Sequence, residues 1–217
     1  MNSYTKHQII ASISVGLFIV YTAFILLVMN QSVYKSCVKD YKIETEEGTT
    51  VSSFEAELCF GQLSESFRRY FHKTDELGPY EMSGSNIKKI GRLKGYYRMA
   101  WIVAFISLGM MIRSFVELSK RRLFMPFLYG GGLAMLFTGL HWLILMRADR
   151  PVLSGVRDMI LHKDYSYFSD GDMLRTLIPP DYARQMLFHY FFLVAILIAL
   201  MALIRLYIIY RGRPHRF

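Results

Sequence analysis

Three of the chain's six histidines fall close to the same level along its pattern of apolar and polar stretches. His162 sits in a polar loop, Arg147–Gln185, within the run Leu161-His162-Lys163-Asp164-Tyr165. His141 stands roughly one and a half helical turns before the end of the apolar stretch that precedes this loop, and His189 roughly one turn into the stretch that follows it. His72, in an earlier polar segment, could fold over the same place. A neutral imidazole, with an ordinary pKa of about 6.5, is well matched to accepting and returning a proton near neutral pH. The chemistry these residues suggest is acid–base work in an aromatic pocket, with Tyr165, Tyr167 and Phe168 as candidate walls around a bound substrate. For His141 and His189 the plainer reading is a hydrogen bond within a helical bundle, which polar residues inside membranes commonly make.

Other chemistries fit less well. No histidines stand four apart on a helix and no carboxylate lies at ligand spacing beside one, so no metal is expected. A Gly-x-Ser-x-Gly nucleophile motif is absent, and no cofactor-binding signature is present. The two cysteines, Cys37 and Cys59, share one polar segment and exclude any cysteine-rich framework. On the outer face of a membrane they would be candidates for a structural disulfide, with two buried thiols as the alternative.

The elements that must position these residues follow from hydropathy. Of the 217 residues, 53% are hydrophobic, and the apolar residues are gathered into runs long enough to cross about 30 Å of hydrocarbon. The expected architecture is an all-α integral membrane protein with four transmembrane helices and an extracytoplasmic cap. The first span is Ile9–Met29, longer than a signal-peptide core and followed by no small-x-small cleavage site, so it reads as a retained helix. Residues 30–95 form the cap. Residues 96–146 hold the second and third spans, Tyr96–Leu118 and Phe124–Met146. The outer loop with His162 follows at 147–185, and 186–217 supply the fourth span, Met186–Tyr210, with a short tail.

Within the cap, Tyr41, Ile43 and Thr45 alternate before Glu47-Gly48 and Val51, a weak hairpin pattern. Ser52 and Glu55 have capping-box spacing ahead of an amphipathic helix bearing Leu63, Phe67, Tyr70 and Phe71 on one face. Gly78-Pro79 and Ser83–Asn86 read as loops. In the outer loop, Pro151 opens an amphipathic segment, with Val152, Leu153, Val156, Met159 and Ile160 on one face, that ends at His162.

The formal charge of +9 would suit nucleic acid only if it formed a patch, and it does not. It is sorted by side instead. With both termini inside, the inner segments carry Lys6, Lys120, Arg121, Arg122, Arg211, Arg213 and Arg216 against Glu117, and the other 16 of the 17 acids lie outside. Cytoplasmic termini and an outward-facing cap follow from this bias. Spans with no acidic residue in their cores offer no ion path, which disfavours a transporter.

The layout and one motif together resemble the lipoprotein intramolecular transacylases, small integral membrane proteins of Gram-positive bacteria. The motif runs from an aromatic-His pair, through an aromatic-rich run, to Asp-x-Leu and a proline. Here it reads Leu161-His162, Tyr165, Asp172-Met173-Leu174 and Pro179. The resemblance implies four transmembrane helices under an extracellular cap, with two catalytic histidines at the cap–membrane boundary. It implies transfer of an acyl chain from the glyceryl group of a diacylated lipoprotein to the amino group of its N-terminal cysteine, giving the lyso form. No cofactor is implied, the partners are the plasma-membrane bilayer and lipoprotein substrates, and a monomer is expected. His162 matches one catalytic histidine. The other is expected just before the second span, but Ser83–Lys94 holds none; Lys88-Lys89 lie about there, and His72 is the nearest cap histidine. The alternative is a non-catalytic membrane protein whose cap binds a lipid, peptide or partner protein.

Overall fold

The computed structural model describes residues 3–39, 43–44, 50–68, 76–77, 80–81, 84–119, 125–146, 177, 179 and 182–211. They form six helices and two minimal antiparallel pairs: α1 (Ser3–Met29), α2 (Ser32–Val38), β1 (Ile43–Glu44), β2 (Thr50–Val51), α3 (Ser53–Arg68), β3 (Glu76–Leu77), β4 (Tyr80–Glu81), α4 (Gly84–Ser119), α5 (Met125–Met146) and α6 (Tyr182–Arg211). The chain is therefore predominantly helical. Three helices contain stretches long and apolar enough to cross a membrane: Thr5–Met29, Ile90–Leu118 and Arg184–Tyr207. The apolar stretch described in α5, Met125–Leu140, is shorter.

The chain divides into two compact units. One comprises Met1–Ile25, Met99–Trp142 and Tyr190–Phe217. Its helices expose large apolar side chains, among them Phe105, Ile106 and Ile112 on α4 and Phe192, Leu203 and Leu206 on α6. Such a surface is intolerable in water over this extent and ordinary against lipid tails, so the protein is membrane-located. Inside lipid, helices associate through close packing rather than through a hydrophobic drive, and small residues let backbones approach. The α1–α5 seam shows this. Ser12 and Gly16 on α1 face Gly130 and Ala134 on α5. A β-carbon at Gly130 would stand 2.6 Å from the Val15 Cβ and 2.9 Å from the Ser12 carbonyl oxygen, and one at Gly16 3.1 Å from the Gly130 carbonyl oxygen. Polar groups on this seam are bonded to their own helices: Ser12 Oγ donates to the Gln8 carbonyl at 2.8 Å and Thr138 Oγ1 to the Ala134 carbonyl at 2.7 Å. Pro126 lies in the first turn of α5, where a missing N–H leaves no broken bond. Phe127, next to it, meets Phe115 of α4 edge to face, ring centroids 5.7 Å apart.

The other unit, Leu26–Arg98 and Leu143–His189, has its own core of Tyr34, Val38, Val51, Ala56, Cys59, Ile90 and Leu177. Asn30 starts α2: its Oδ1 accepts from the Ser32 amide at 3.0 Å and the Ser32 hydroxyl at 2.6 Å. The capping box at the start of α3 is formed in both directions. The Glu55 amide donates to Ser52 Oγ at 3.2 Å and the Ser52 amide to Glu55 Oε2 at 3.1 Å, a pairing generally worth about 1 kcal/mol of helix stability. The alternation read at Ile43 and Val51 is a true pairing, Ile43 with Val51 and Glu44 with Thr50. Leu77 pairs with Tyr80 on either side of Gly78-Pro79.

Two differences from the sequence reading have plain causes. Helix α4 begins at Gly84, twelve residues before the expected span start at Tyr96, and takes in part of the expected Ser83–Asn86 loop. Its first turns are held by packing: Ile90, Lys94 and Tyr97 recur at helical spacing and are all buried. The expected Cys37–Cys59 bridge is not formed; both residues are thiols. Cys59 is 1% exposed and turned into the apolar core, while Cys37 is part-exposed on α2. Tyr70, Phe71 and the amphipathic segment from Pro151 to His162 lie outside the described residues.

Two measurements test this account. Gly130→Val should lower the thermal midpoint in detergent, since overpacking a close seam costs about 1–3 kcal/mol. Gly132→Val, where an added β-carbon meets open space, should leave the midpoint unchanged. In the unreduced native protein a maleimide should label Cys37 well before Cys59, whose thiol burial and the Glu55 charge push towards the protonated form. After denaturation both should label without reductant; labelling of neither would reinstate the bridge.

Candidate functional site

The sequence places its chemistry in the stretch between α5 and α6, of which the structure describes Leu177 and Pro179. Leu177 and Pro179 are buried, and the Tyr182 amide donates to the Pro179 carbonyl at 3.0 Å, which sets the first turn of α6. The anchor is Tyr34 of α2, 1% exposed. Its hydroxyl donates to the Leu177 carbonyl at 2.6 Å, across 143 residues of sequence. Its ring stacks on Phe60 of α3 at 3.9 Å between centroids and 4° between planes. Tyr182 closes the group edge-on to both, 5.5 Å from Tyr34 and 5.7 Å from Phe60. Aromatic pairs in such arrangements are worth about 0.5–1.5 kcal/mol each beyond their buried area. Two residues further along α2, Ser36 Oγ lies 3.3 Å from Gln185 Oε1, a longer and exposed contact. Lys35 and Glu57 tie α2 to α3 at 3.2 Å, in reach of solvent and so worth little alone.

His189 follows one turn after Gln185, and its Nδ1 lies 2.8 Å from the Gln185 carbonyl oxygen. A carbonyl only accepts, so Nδ1 carries the proton, and in the neutral ring Nε2 is left as the acceptor. The ring is part-buried and meets Phe188 edge to face at 6.1 Å. The bond runs within its own helix, whereas the plainer expectation for this residue is a bond to a neighbouring helix or a headgroup. His141 is carried near the end of α5; its side chain is outside the described residues. So are His162, His72, Tyr165, Tyr167 and Phe168.

Sequence reasoning missed Tyr34 and Tyr182. A signal existed for Tyr34: Asn30 makes a turn just ahead of the helix, and Val33, Tyr34 and Val38 follow at helical spacing, all buried. The segment was too short for its periodicity to stand out.

Burial raises the ionisation of both tyrosines well above the ordinary value of 10.0; for Tyr34 the Cys59 thiol and Tyr182 add to it, and for Tyr182 the Cys37 thiol does. The Tyr34 hydroxyl therefore stays a donor through the whole neutral and mildly alkaline range. The unfolded chain would bind fewer protons than the folded one above pH 10, so the stability these groups contribute is fully present below 10 and is lost as pH climbs beyond it. Thermal midpoints should hold from pH 7 to 9 and fall above 10. The fall should be shallower in Tyr34→Phe, and an equal fall in that variant would remove the assignment.

No protein-family model and no curated protein matches the sequence. Among solved structures, the membrane integral lipoprotein intramolecular transacylase Lit from Bacillus cereus matches with a TM-score of 0.78, covering 97% of this chain and 97% of its own at 13% identity. Two forms of the same protein in which a histidine is replaced, by arginine or by alanine, match with TM-scores of 0.78 and 0.77 at 16% identity. They cover 97% of this chain and 93% and 95% of their own. Over 97% of its length, then, this chain has the fold of the lipoprotein intramolecular transacylase Lit.

Proposed function

We propose that this protein is a membrane transacylase that moves an acyl chain within a diacylated lipoprotein, from the glyceryl group to the amino group of the N-terminal cysteine. The observation that carries the reading is the match in fold, over 97% of both chains, to a protein of that activity. The motif around His162 supports it independently, because it comes from sequence.

In this reading α5 is a fourth span. Its 22 residues rise about 33 Å, against a hydrocarbon thickness of about 30 Å. Both termini are cytoplasmic, and residues 30–95 and 147–185 lie on the outer side, as the charge bias requires. His162 takes the proton from the attacking α-amine, whose ordinary pKa near 8 leaves part of it as free base at neutral pH. The nitrogen bonds to the ester carbonyl carbon, the carbon–oxygen bond to glycerol breaks, and the departing oxygen receives a proton. The product is an amide and a free glyceryl hydroxyl, with no other reactant consumed. His72 serves as the second histidine. Tyr165, Tyr167 and Phe168 wall the pocket, with His141 and His189 contacting substrate from the helix ends. Donor and acceptor share one lipidated head group, so orientation supplies most of the advantage.

The test is a mass spectrum of a reporter lipoprotein's N-terminal lipopeptide from a host that makes only diacylglyceryl lipoproteins. With the unmutated chain the acyl group should appear on the cysteine nitrogen. His162→Ala should lower the rate by about 10²–10⁴-fold, the usual worth of a general acid–base group, with membrane insertion and thermal midpoint nearly unchanged. An unaltered diacyl form, from a folded and inserted chain, would retire the enzyme in favour of a non-catalytic cap that binds a lipid, peptide or partner protein. The lysines at 88 and 89, where a second histidine is expected, favour that alternative.

A further inference from the structure

We infer that Arg205 on α6 holds the phosphate of an anionic membrane phospholipid, at the end of the apolar unit where that helix finishes. The inference does not depend on the proposed function. Arg205 stands in the apolar stretch Arg184–Tyr207, just before its end and before the last turn of α6. Its Nε is buried with no hydrogen-bond partner. The residue as a whole is part-exposed and, among the described residues, makes no ion pair. Charged residues within membrane spans are ordinarily paired, because an unpaired charge there is costly.

The unit has almost no counter-charge to offer. Met1–Ile25, Met99–Trp142 and Tyr190–Phe217 together hold nine lysines and arginines against one acidic side chain, Glu117. Glu117, on α4, forms no ion pair with Arg205. The adjoining helix end supplies no negative charge. A β-carbon at Gly131 of α5 would stand 3.4 Å from Ile198 of α6, and Tyr190 meets Thr138, so these two helices run in opposite directions. Arg205, about two turns beyond Ile198 on the same face, is then level with the first turn of α5, the positive end of that helix's dipole. The carbonyls at the end of α6 act over its last turn, which Arg205 precedes. Helical side chains also lean towards the N-terminus, so Arg205 leans back along the span and not out to water. The missing charge must therefore come to it from outside the chain. A guanidinium fork matches the oxygens of a phosphate, and the end of a span is the level at which phospholipid headgroups lie. Leu203, Leu206 and Tyr207 beside it are exposed, a surface that suits acyl chains and gives a soluble anion nothing.

Arg205→Leu tests this, with Arg113→Leu, which removes an exposed arginine of the same unit, as the control for charge alone. The full-length parent and both variants would be stripped of lipid in detergent and titrated with phosphatidylglycerol, phosphatidylcholine or inorganic phosphate. Native mass spectrometry reads binding, and the thermal midpoint reads stability. The parent and Arg113→Leu should bind phosphatidylglycerol equally. Arg205→Leu should bind it about fivefold more weakly, the usual worth of one basic residue at an anionic surface. Phosphatidylglycerol should raise the midpoint of the parent and leave that of Arg205→Leu unmoved. Without lipid, Arg205→Leu should be at least as stable as the parent, because it removes a part-buried charge that has no partner. A lower midpoint there, or failure to fold, would make Arg205 a structural contact and overturn the inference. Undiminished binding by Arg205→Leu, an equal loss in Arg113→Leu, or equal binding of phosphatidylcholine would overturn it as well. Equal stabilisation of the parent by inorganic phosphate would mean an adventitious ion only, and the lipid site would be withdrawn.

Discussion

A carbonyl oxygen removed from water must be paired, and in this protein the demand of the Leu177 carbonyl organises the polar unit. Tyr34 meets it, and to do so its ring must be held in one orientation, which Phe60 and Tyr182 supply. Each of these residues then fixes an element: Tyr34 fixes α2, Phe60 fixes α3, Tyr182 begins α6. The net worth of such a hydrogen bond is only about 1 kcal/mol, but leaving one buried partner unmet costs about 1–3. That asymmetry, more than the bond itself, makes the arrangement all-or-none. The rest of the core, from Val38 and Val51 to Cys59 and Ile90, packs around a group whose geometry is already decided.

The apolar unit obeys a different rule. Lipid is as good a solvent for leucine as a neighbouring helix is, so the α1–α5 seam is held by contact distance. Gly16 and Gly130 matter for the side chains they lack: a methyl at Gly130 would collide with the Val15 side chain and the Ser12 carbonyl. Ser12 and Thr138 return their hydroxyls to their own helices, which satisfies both within the helix. The apolar side chains on the outer faces of α4 and α6 require no partner but lipid.

How much of this was readable depended on whether the information was local. The Ser52–Glu55 capping box and the Ile43–Val51 pairing need only a few residues and were found at the expected positions. Apolar run lengths located the helices. The start of α4 was missed because Ile90, Lys94 and Tyr97 are held by packing that their own sequence does not announce. The cysteine expectation failed for a related reason: sharing a segment says nothing about which way Cys59 points. The helix carrying Tyr34 left only a faint signal, and the bond it makes left none, because the partner lies 143 residues away. Of the histidines, His189 bonds within its own helix rather than to a neighbouring one, a choice its sequence position does not reveal. The motif around His162 remains a reading of the sequence.

The same separation has a consequence for how the protein is made. Membrane proteins are threaded in from the N-terminus, and at about 5–20 residues per second the ribosome needs roughly 7–30 s to travel from Tyr34 to Leu177. Throughout that interval the core of the first polar segment lacks its centrepiece. Its aromatic residues and the Cys59 thiol stay open to solvent and to other chains. That core can close only once Leu177 has been made, just ahead of the last helix. Biogenesis is therefore the period in which the Cys59 thiol, buried in the finished fold, is most exposed, and truncation before Leu177 would leave that period without an end.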